Sequence, residues 1–265
     1  MLTLYHGGTS VCSIKARLVM EETGLPWESV ELDLVRGDQL EPDYLKLNPA
    51  GVVPTLVDDG RVLVESSIII DYLAQIADPP SLIPADPFLA SKARLWALRT
   101  LAYHDAANTV TFAAYNRRPM LKLTPEEREA RYAKMPDPMA AEKRRDLVEN
   151  GPKSRRVEAA LGVYDTMCAT IEADLAGQDW LLGDAYSLAD AAVAAFVFRL
   201  ECLGLDGMWT ASRPRMTDWW RRLKARPAFE RAVAPYLDAA KLADIAEAGR
   251  TEIADDPRFS RYFGG

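Results

Sequence analysis

A proline-rich segment, "DPPSLIPADPFLA" at residues 78–90, constrains the fold more than any other stretch of the chain. Proline lacks a backbone N–H and fixes φ, so this segment can form neither a continuous helix nor a central strand. Before it, the sequence patterns favour the order β-α-β, a connection, and then β-β-α, whereas after it nearly all patterns favour helix. We therefore predict an α/β domain at residues 1–78, a linker at 79–90 and an all-helical domain at 91–265.

The elements of the first domain are predicted from short patterns. Residues 2–5, "LTLY", suit a strand, and the apolar positions that precede Gly24 suit a helix. Residues 27–34 alternate as a strand does, and "VVPTLVDDGRVLVES" is typical of a hairpin that turns at Asp59–Gly60. The following "SSIIIDYLAQIA" indicates a second amphipathic helix.

The second domain is predicted to be helical in three long stretches, at residues 91–115, 146–176 and 216–236. An excursion at about residues 116–158 follows the first of these and overlaps the start of the second, and it holds twelve Lys/Arg against eight Asp/Glu. The tail after Leu242 is short of apolar residues, so we expect it to be loosely docked.

Charge, cysteine content and hydropathy narrow the possible partners. The formal net charge of −7 argues against nucleic acid. The first residues show no basic stretch followed by an apolar one, and no apolar run could span a bilayer, so we expect a cytoplasmic protein that does not enter membranes. Cys12, Cys168 and Cys202 cannot all pair within one chain and their spacing matches no zinc pattern, so reduced thiols and no metal are expected.

Two short motifs indicate a binding site for a peptide-like ligand. In "GVVPTL", a cis Val53–Pro54 bond would leave the backbone N–H and C=O of Val53 free for a ligand, although a trans proline opening an edge strand is the alternative. Farther on, Glu65 and Ser66 precede an apolar helix, where Ser66 can occupy the N-cap and free N–H groups attract a carboxylate. Simple capping, the alternative here, would need only one of these two polar residues.

Ser10, Cys12 and Ser13 lie together where the first strand ends and the first helix is predicted to begin. A helix N-terminus stabilises an anion. A thiol with a pKa of about 8.5 must be lowered by about two units, or about 2.7 kcal/mol, to be mostly thiolate at neutral pH. One hydroxyl donor together with the helix terminus can supply most of this. The alternative is that the serines cap the helix and the cysteine only fills space.

Three segments resemble the glutathione S-transferase family, over nearly the whole chain: "LTLYHGGTSVCSIKARLVMEETGLPWE", "LKLNPAGVVPTLVDDGRVLVESSIIIDYLAQ" and "GDAYSLADAAVAAF". The resemblance implies a thioredoxin-like N-terminal domain of βαβ-ββα order, an all-helical C-terminal domain and a homodimer. It also implies glutathione as the cosubstrate. The implied contacts are Val53 and Pro54 at the cysteinyl backbone, Glu65 and Ser66 at the γ-glutamyl end, and Gln39 at the glycyl carboxylate.

The family differs in the residue that activates the thiol, and three alternatives fit. Aligned on "CS", Cys12 is similar to the cysteine of bacterial beta-class enzymes, and Ser10 to the serine of zeta-class isomerases. Ser13, followed by Ile14 and Lys15, is similar to the serine of the "NSLK" segment in bacterial β-aryl etherases, which cleave lignin-derived ethers with glutathione. Since a hydroxyl donates a stronger hydrogen bond than a thiol, we rank Ser13 first and Cys12 second. Ser10 is third because it follows a flexible "GGT" loop.

The excursion at residues 116–158 adds to the resemblance to etherases. These enzymes carry a similar segment with a P-x-P element and a basic run, as in "MPDPMAAEKRRD". We expect it to fold over the second-substrate site as a flap, the alternative being a solvated loop with short helices. Candidate walls of that site, whose spacing core packing alone would also give, are Tyr103, Asn108, Phe112 and Tyr115.

The main hypothesis is a glutathione-dependent transferase, and its more specific form is a β-etherase of lignin degradation. Its thiolate would attack an electrophilic carbon of a small hydrophobic or aromatic substrate and displace an aryloxide or similar group, which requires no metal. The enzymatic alternatives are a zeta-like isomerase and a beta-like thiol-disulfide enzyme, and the chain has no CxxC pair for the latter. The remaining alternative is a non-catalytic ligand-binding or interaction protein of the same fold.

Overall fold

The first part of the chain forms a four-stranded sheet in the computed structural model, which describes residues 1–34, 36–78, 82–133, 135 and 137–264. The strands are β1 (Leu2–His6), β2 (Trp27–Glu31), β3 (Thr55–Asp58) and β4 (Arg61–Leu63). Their order in the sheet is β2-β1-β3-β4, with β1 parallel to β2, β1 antiparallel to β3, and β3 antiparallel to β4. Between β3 and β4, Asp59 and Gly60 have φ values of 46° and 82°, the positive φ that a tight two-residue hairpin turn requires.

Helices account for most of the remaining chain. The early helices are α1 (Val11–Thr23), α2 (Pro42–Leu47) and α3 (Ser66–Ile76). The later ones are α4 (Pro87–Thr111), α5 (Arg118–Leu121), α6 (Pro125–Tyr132), α7 (Pro138–Asn150), α8 (Arg155–Asp174), α9 (Leu188–Cys202), α10 (Gly207–Thr210), α11 (Pro214–Lys224), α12 (Pro227–Val233) and α13 (Ala239–Gly249). Turns of π-helix follow α4 and α13, at Phe112–Asn116 and Arg250–Ala254.

The predicted βαβ-ββα order and the helical second half are confirmed. Two of the predicted long helices are each interrupted near a proline, Pro152 and Pro227, because proline lacks the N–H that continues a helix. Residues 79–81 of the predicted linker and Pro136 of the P-x-P element lie outside the described residues. The domain boundaries stay a prediction.

Contacts between residues divide the chain into two compact units. The first unit contains Met1–Leu101, Ile171–Phe198 and Arg215–Asp238, and it holds the sheet with α1 and α3. The second unit contains Ala102–Thr170, Arg199–Pro214 and Ala239–Gly265, and it includes the excursion and the C-terminal tail.

Helix α1 occupies the centre of the first unit, where it packs against α3 and α12. At its start the Oγ of Ser10 accepts a hydrogen bond from the Ser13 N–H, and at its end Gly24 adopts the left-handed conformation with φ of 67°. Its buried surface carries two charged residues, Lys15 and Arg17, which are only 1% and 0% exposed. Helix α1 therefore brings two cations into the interior.

The tail after Leu242 is docked within the second unit, so the expectation of loose docking is wrong. Its buried residues are Ile245, Ala248, Gly249, Ile253, Phe259 and Tyr262. A Cβ on Gly249 would lie 1.9 Å from the Leu203 carbonyl oxygen, so only glycine permits this approach of α13. Sequence composition underestimated the docking because a few apolar side chains suffice when each is fully buried.

Candidate functional site

The three candidate thiol-activating residues differ in exposure at the start of α1. Ser10 is half-buried at the N-cap, and its Oγ lies 3.4 Å from the Ser13 nitrogen that donates to it. Cys12 is half-buried in the first turn. Ser13 is 0% exposed, and its Oγ accepts a hydrogen bond from the Gly7 N–H at 3.1 Å. The hydroxyl ranked first from the sequence is therefore enclosed by protein, whereas Ser10 and Cys12 are partly accessible.

The Val53–Pro54 bond is cis, which confirms the prediction from the sequence. Pro54 is buried and Val53 is half-buried. Neither the N–H nor the C=O of Val53 has a hydrogen-bond partner in the described part of the chain. A backbone donor and a backbone acceptor are therefore available to a peptide-like ligand at this position.

Tyr44 and Asn48 hold this turn, and the sequence patterns did not identify them. The Tyr44 hydroxyl and the Asn48 Nδ2 both donate to the Val52 carbonyl, the latter at 2.8 Å. The same two groups contact Thr55 Oγ1, at 2.8 and 3.2 Å. Because these three side chains are buried, the backbone on both sides of Val53 is fixed in position.

Glu65 and Ser66 lie at the start of α3 in a different arrangement from the predicted one. Glu65 is the N-cap and Ser66 is the first helical residue, so the prediction that Ser66 is the N-cap is wrong. The reason is the left-handed backbone of Glu65, whose φ of 69° already turns the chain into the helix. Such a conformation costs a non-glycine residue about 1–3 kcal/mol, and strain of this kind is concentrated at ligand sites. Glu65 is exposed, and the Ser66 hydroxyl has no described hydrogen-bond partner.

The register of the sheet brings these segments together. Tyr5 pairs with Thr55, so the Val53–Pro54 turn lies beside the end of β1, from which the chain continues into α1. The Lys15 Nζ donates to the Ser67 Oγ at 2.9 Å, which ties α1 to the first turn of α3. The free backbone groups and the starts of both helices therefore form one site within the first unit.

Lys15 is a buried cation at this site that the sequence patterns did not assign. Its Nζ donates to two hydroxyl oxygens, Ser67 Oγ and Thr100 Oγ1, each at 2.9 Å. Burial lowers the pKa of Lys15 to about 8, while the nearby Cys12 and Glu65 act in the opposite direction. No carboxylate among the described residues forms a salt bridge with Lys15, so its positive charge remains available to an anion at the helix starts.

Arg17 is a second buried cation on α1, and it fixes the loop that leads into the helix. Its Nη2 donates to the Gly8 carbonyl at 2.7 Å and its Nη1 to the Gly7 carbonyl at 3.3 Å. Its Nε donates to the Ala232 carbonyl at 2.8 Å, and its guanidinium stacks 4.0 Å from the centroid of the Tyr236 ring. Burial lowers the pKa of Arg17 to about 10. Arg17 therefore positions the loop that precedes the N-cap.

His6 is the neutral neighbour of this buried arginine. Its Nδ1 lies 3.0 Å from Arg17 Nη1 and its Nε2 lies 2.7 Å from Ser29 Oγ. Burial, together with the positive charge of Arg17, lowers the pKa of His6 to about 3. Because the ring is neutral at physiological pH, Nδ1 accepts from the guanidinium and Nε2 donates to the serine.

The signal that could have revealed both cations is the composition of α1. Residues 11–20, "VCSIKARLVM", contain no charged residue other than Lys15 and Arg17. A helical stretch that is apolar on all sides must be buried on all sides, and its charged residues are then buried with it. The buried partners lie far away in the sequence, at Thr100 and Ala232, and no local pattern identifies them.

Gln39, the residue implied for the glycyl carboxylate, is half-buried in a 3-10 turn at Asp38–Leu40. Its Oε1 is buried and has no hydrogen-bond partner among the residues described. A buried polar atom without a protein partner is commonly satisfied by water or a ligand. The Gln39 amide is therefore not committed to holding the fold, and its role stays a prediction.

The four predicted wall residues of a second-substrate site differ in exposure. Tyr103 and Phe112 are buried, at 7% and 6% exposed. Asn108 is exposed, and Tyr115 is half-buried, with burial and the neighbouring Asp244 of the docked tail raising the pKa of its hydroxyl. Burial of the first two matches the core-packing alternative, and the role of all four stays a prediction.

The excursion at residues 116–158 is packed as part of the second unit and does not extend into solvent. Its buried side chains include Tyr132, Leu147 and Val148. Arg144 on α7 lies over the ring of Phe112, with its guanidinium carbon 4.1 Å from the ring centroid. That the excursion covers a substrate as a flap stays a prediction.

Within the described ranges, no group of three or more His, Cys, Asp or Glu side chains is arranged to hold a metal ion, and the three cysteines are free thiols. In those ranges, no helix combines the length and the apolar content needed to cross a bilayer.

Two family profiles match the chain. Residues 4–81 match the N-terminal domain of glutathione S-transferases, and residues 123–227 match the C-terminal domain of the same family. The chain is 31% identical over 240 residues to the tetrachloro-p-hydroquinone reductive dehalogenase of Sphingobium chlorophenolicum, which covers 87% of this chain and 95% of that protein.

A second relative and two solved structures agree with these matches. The chain is 31% identical over 236 residues to protein LigF of Sphingobium sp. strain SYK-6, covering 86% of this chain and 91% of LigF. The crystal structure of the β-etherase LigF gives a TM-score of 0.77 at 30% identity, covering 87% of this chain and 98% of that one. A glutathione transferase homologue from Sulfitobacter with bound glutathione gives a TM-score of 0.60 at 28% identity, covering 87% and 96%.

Proposed function

The chain belongs to the glutathione S-transferase family, and we propose that it binds glutathione at the starts of α1 and α3 and uses the thiolate as a nucleophile. The observation that carries this proposal is the free backbone of Val53, whose N–H and C=O have no described partner. An extended peptide can pair with both groups as an added strand does. The network around Tyr44 keeps them in position before the ligand arrives.

The charges of glutathione match the remaining groups of the site. The γ-glutamyl carboxylate would accept from the free N–H groups at the start of α3 and from the Ser66 hydroxyl. The γ-glutamyl ammonium would pair with the exposed carboxylate of Glu65. The glycyl carboxylate would meet the uncommitted amide of Gln39. With both ends of glutathione bound in this way, the cysteinyl thiol would point toward the start of α1.

We propose Ser10 as the direct hydrogen-bond donor to the thiolate. Its Oγ accepts from the Ser13 N–H, so its own proton is free to be donated outward. Ser13 is enclosed and holds the Gly7 N–H, so its hydroxyl supports the loop and does not contact the ligand in this conformation. The sequence-based ranking, with Ser13 first, Cys12 second and Ser10 third, makes the opposite prediction for the thiol pKa.

The reaction is a displacement in which the sulfur donates an electron pair to an electrophilic carbon. The C–S bond forms while the bond to the leaving group breaks, and the electron pair departs with an aryloxide or a halide. The protein contributes positioning and stabilisation of the thiolate, with the buried charge of Lys15 adding to the helix terminus. Because LigF is a β-etherase and another relative is a dehalogenase, aromatic ethers and halides are the first substrates to test.

Cys12 favours a second candidate function, thiol–disulfide exchange with glutathione. It is half-buried in the first turn of α1, the helix that also carries the buried cation Lys15. A cation near a thiol lowers its pKa and increases the thiolate fraction. Turnover of a mixed disulfide that is lost in Cys12→Ala would support this candidate.

We also infer that the protein is a cytoplasmic homodimer. Helix α4 exposes three leucines at successive helical turns, Leu95, Leu98 and Leu101, which are 46%, 56% and 58% exposed. An exposed apolar stripe of this kind is typical of an interface between subunits. Analytical ultracentrifugation should give the mass of a dimer, and Leu98→Glu should give a monomer.

Retention on immobilised glutathione tests the proposed function. We expect the protein to be retained and then released by free glutathione, and Ser66→Ala to be retained more weakly. Turnover should then be measured with a β-aryl ether, a chloro-nitroaromatic and a disulfide. If the protein is not retained and turns over none of the three compounds, the proposal is overturned.

A further inference from the structure

The ammonium group of Lys15 is bound by two hydroxyls of the first unit. Its Nζ donates to Ser67 Oγ and to Thr100 Oγ1, each at 2.9 Å. Both hydroxyls donate their own protons to the Ala97 carbonyl, at 2.9 and 2.6 Å, so each offers a lone pair to the lysine. The third N–H of Lys15 has no hydrogen-bond partner in the described part of the chain, and no salt bridge there includes it.

This arrangement suits a neutral amine better than an ammonium group. A neutral lysine amine has two N–H groups, whereas the ammonium has three. The two hydroxyls therefore satisfy every donor of the amine and leave one donor of the ammonium without a partner. Because Lys15 is 1% exposed, bulk water has little access to that donor, and burial lowers the pKa of Lys15 to about 8. The charged form therefore requires a nearby anion.

The ionisable groups that act on Lys15 lie at the starts of the two helices. They are Cys12 in the first turn of α1 and Glu65 at the N-cap of α3, and both raise the pKa of Lys15 by less than burial lowers it. From α4 and α9, the described side chains that contact Nζ are uncharged, namely Thr100 and the ring of Phe196, whose centroid lies 5.8 Å away. The protein thus compensates the charge of Lys15 incompletely.

The start of α3 is where a ligand can supply the missing negative charge. Ser67, which accepts from Lys15, directly follows Ser66, the residue proposed to bind the γ-glutamyl carboxylate. The backbone N–H groups of both serines have no partner among the residues described, and free N–H groups at a helix start attract a carboxylate. A carboxylate that accepts from these groups lies beside the hydroxyl that binds Lys15.

We propose that Lys15 is the buried counter-ion of the γ-glutamyl carboxylate, and that binding of glutathione is coupled to protonation of Lys15. The inference rests on the proposed function, which places this carboxylate at the start of α3. Negative charge beside Nζ favours the ammonium over the amine. Where Lys15 is neutral in the free protein, binding therefore takes up a proton from solvent.

The competing explanation is that Lys15 only links α1, α3 and α4 through its two hydrogen bonds. Both explanations predict that Lys15→Met alters the affinity for glutathione. They differ in proton uptake, because an amine and an ammonium can make the same two hydrogen bonds. A purely structural link therefore binds the ligand equally well in either protonation state.

The first test measures proton uptake with S-methylglutathione, which keeps both carboxylates and has no thiol that titrates. Calorimetry at pH 8 in Tris and in HEPPS, two buffers that differ in ionisation enthalpy, is performed on the parent, Lys15→Met and Lys15→Arg. About half of the free parent lacks the Lys15 proton at this pH, so we expect it to take up about half a proton more than either variant. The ligand's own ammonium titrates alike in all three proteins and cancels in the comparison.

The second test follows the dissociation constant of S-methylglutathione with pH. An opposite charge within about 4–6 Å shifts a pKa by about one to three, so at pH 7 the parent should bind at least about 10-fold more tightly than Lys15→Met. Above pH 8 this advantage should fall by about tenfold per pH unit until it is lost. Lys15→Arg should keep the advantage, because a guanidinium does not lose its proton in this range.

Thr100→Val provides a variant that leaves Lys15 and the start of α3 in place. It removes one acceptor from the ammonium, so the pH at which proton uptake begins should move below that of the parent. Uptake at the same pH as in the parent would overturn the proposal, even where Lys15→Met and Lys15→Arg fail to fold.

Equal proton uptake by the parent and Lys15→Met, or an affinity advantage that does not change with pH, would also overturn the proposal while the proposed function stands. Failure of the proposed function is recognised separately, because the parent would then bind neither S-methylglutathione nor immobilised glutathione.

Discussion

The cations of α1 and those of the excursion at residues 116–158 are stabilised in opposite ways. Lys15 and Arg17 are almost completely buried and are bound by neutral hydroxyl and carbonyl oxygens. Lys143 and Arg145 lie at the surface and are paired with carboxylates. Exposed pairs of this kind contribute little to stability, whereas a buried charge without a counter-charge has a large desolvation cost.

The difference distinguishes surface cations that form ion pairs with carboxylates from buried cations that lie at the candidate binding site. Among the described residues, no carboxylate forms a salt bridge with Lys15 to offset the free-energy cost of burying its charge, so the charge must be compensated by other groups or by a ligand. Its position, between the start of α1 and the start of α3, is where an anionic thiol and a carboxylate of glutathione are proposed to bind. Arg17 differs from Lys15 because its four polar contacts replace most of the water that it lost.

The largest expected effect is that of Arg17→Met. This change removes the arginine donor from the carbonyls of Gly7, Gly8 and Ala232 and from the Nδ1 of the buried His6. Each unsatisfied buried group costs about 1–3 kcal/mol, so we expect the free energy of unfolding to fall by about 3 kcal/mol or more in urea titrations. The control is Arg36→Met, which removes an exposed ion pair with Asp38 and should leave the urea midpoint unchanged. If both variants lose a similar free energy of unfolding, buried and exposed cations do not differ in their contribution to stability.

Lys15→Met should raise the free energy of unfolding at neutral pH, whereas Arg17→Met should lower it. Below pH 8, Lys15 is protonated in both the folded and the unfolded chain, and the cost of burial is present in full. Between pH 8 and 10.5 the folded chain has lost this proton while the unfolded chain retains it, so the free energy of unfolding of the parent rises with pH. The rise amounts to about 3 kcal/mol.

Urea titrations of the parent and of Lys15→Met at several pH values across this window measure that rise. The variant has no such group, so it should be more stable than the parent at neutral pH, and the two should converge at high pH. Parallel curves for the two proteins would mean that Lys15 is not a destabilising buried cation.

The smallest effect is expected for Arg145→Gln. Its partner Glu129 is exposed and its own side chain is 38% exposed, so solvent replaces the lost hydrogen bonds. We expect an unchanged urea midpoint and an unchanged affinity for glutathione. A destabilisation as large as that of Arg17→Met would show that the excursion depends on its ion pairs and that the two groups of cations do not differ in this respect.

The sequence predicted the features that depend on local signals. Alternating strands, the turn at Asp59–Gly60 and the cis bond at Val53–Pro54 are each specified by a few adjacent residues, and all three are confirmed. The N-cap of α3 was misassigned because the left-handed backbone of Glu65 has no local signature. Lys15 was missed as a site residue because its partner Thr100 lies on a distant helix.

Exposure could not be predicted from the order of residues at the start of α1. Ser10, Cys12 and Ser13 are all small, and the first turn of a helix gives each a different direction. Which of them is enclosed depends on the loop at Gly7, and that loop is positioned by Arg17 through contacts distant in sequence. The choice among the three is therefore a question for measurement.

The pKa of the glutathione thiol in the complex tests the central claim that the start of α1 stabilises a thiolate. The ultraviolet absorbance of the thiolate is titrated in the parent, Ser10→Ala, Cys12→Ala and Ser13→Ala. Loss of a hydroxyl-to-thiolate hydrogen bond removes about 1.5–3 kcal/mol, so Ser10→Ala should raise the pKa by about one to two units while Ser13→Ala shifts it less. A raised pKa in Ser13→Ala, with Ser10→Ala unchanged, would restore the sequence-based ranking, and an unchanged pKa in all three variants would contradict the claim.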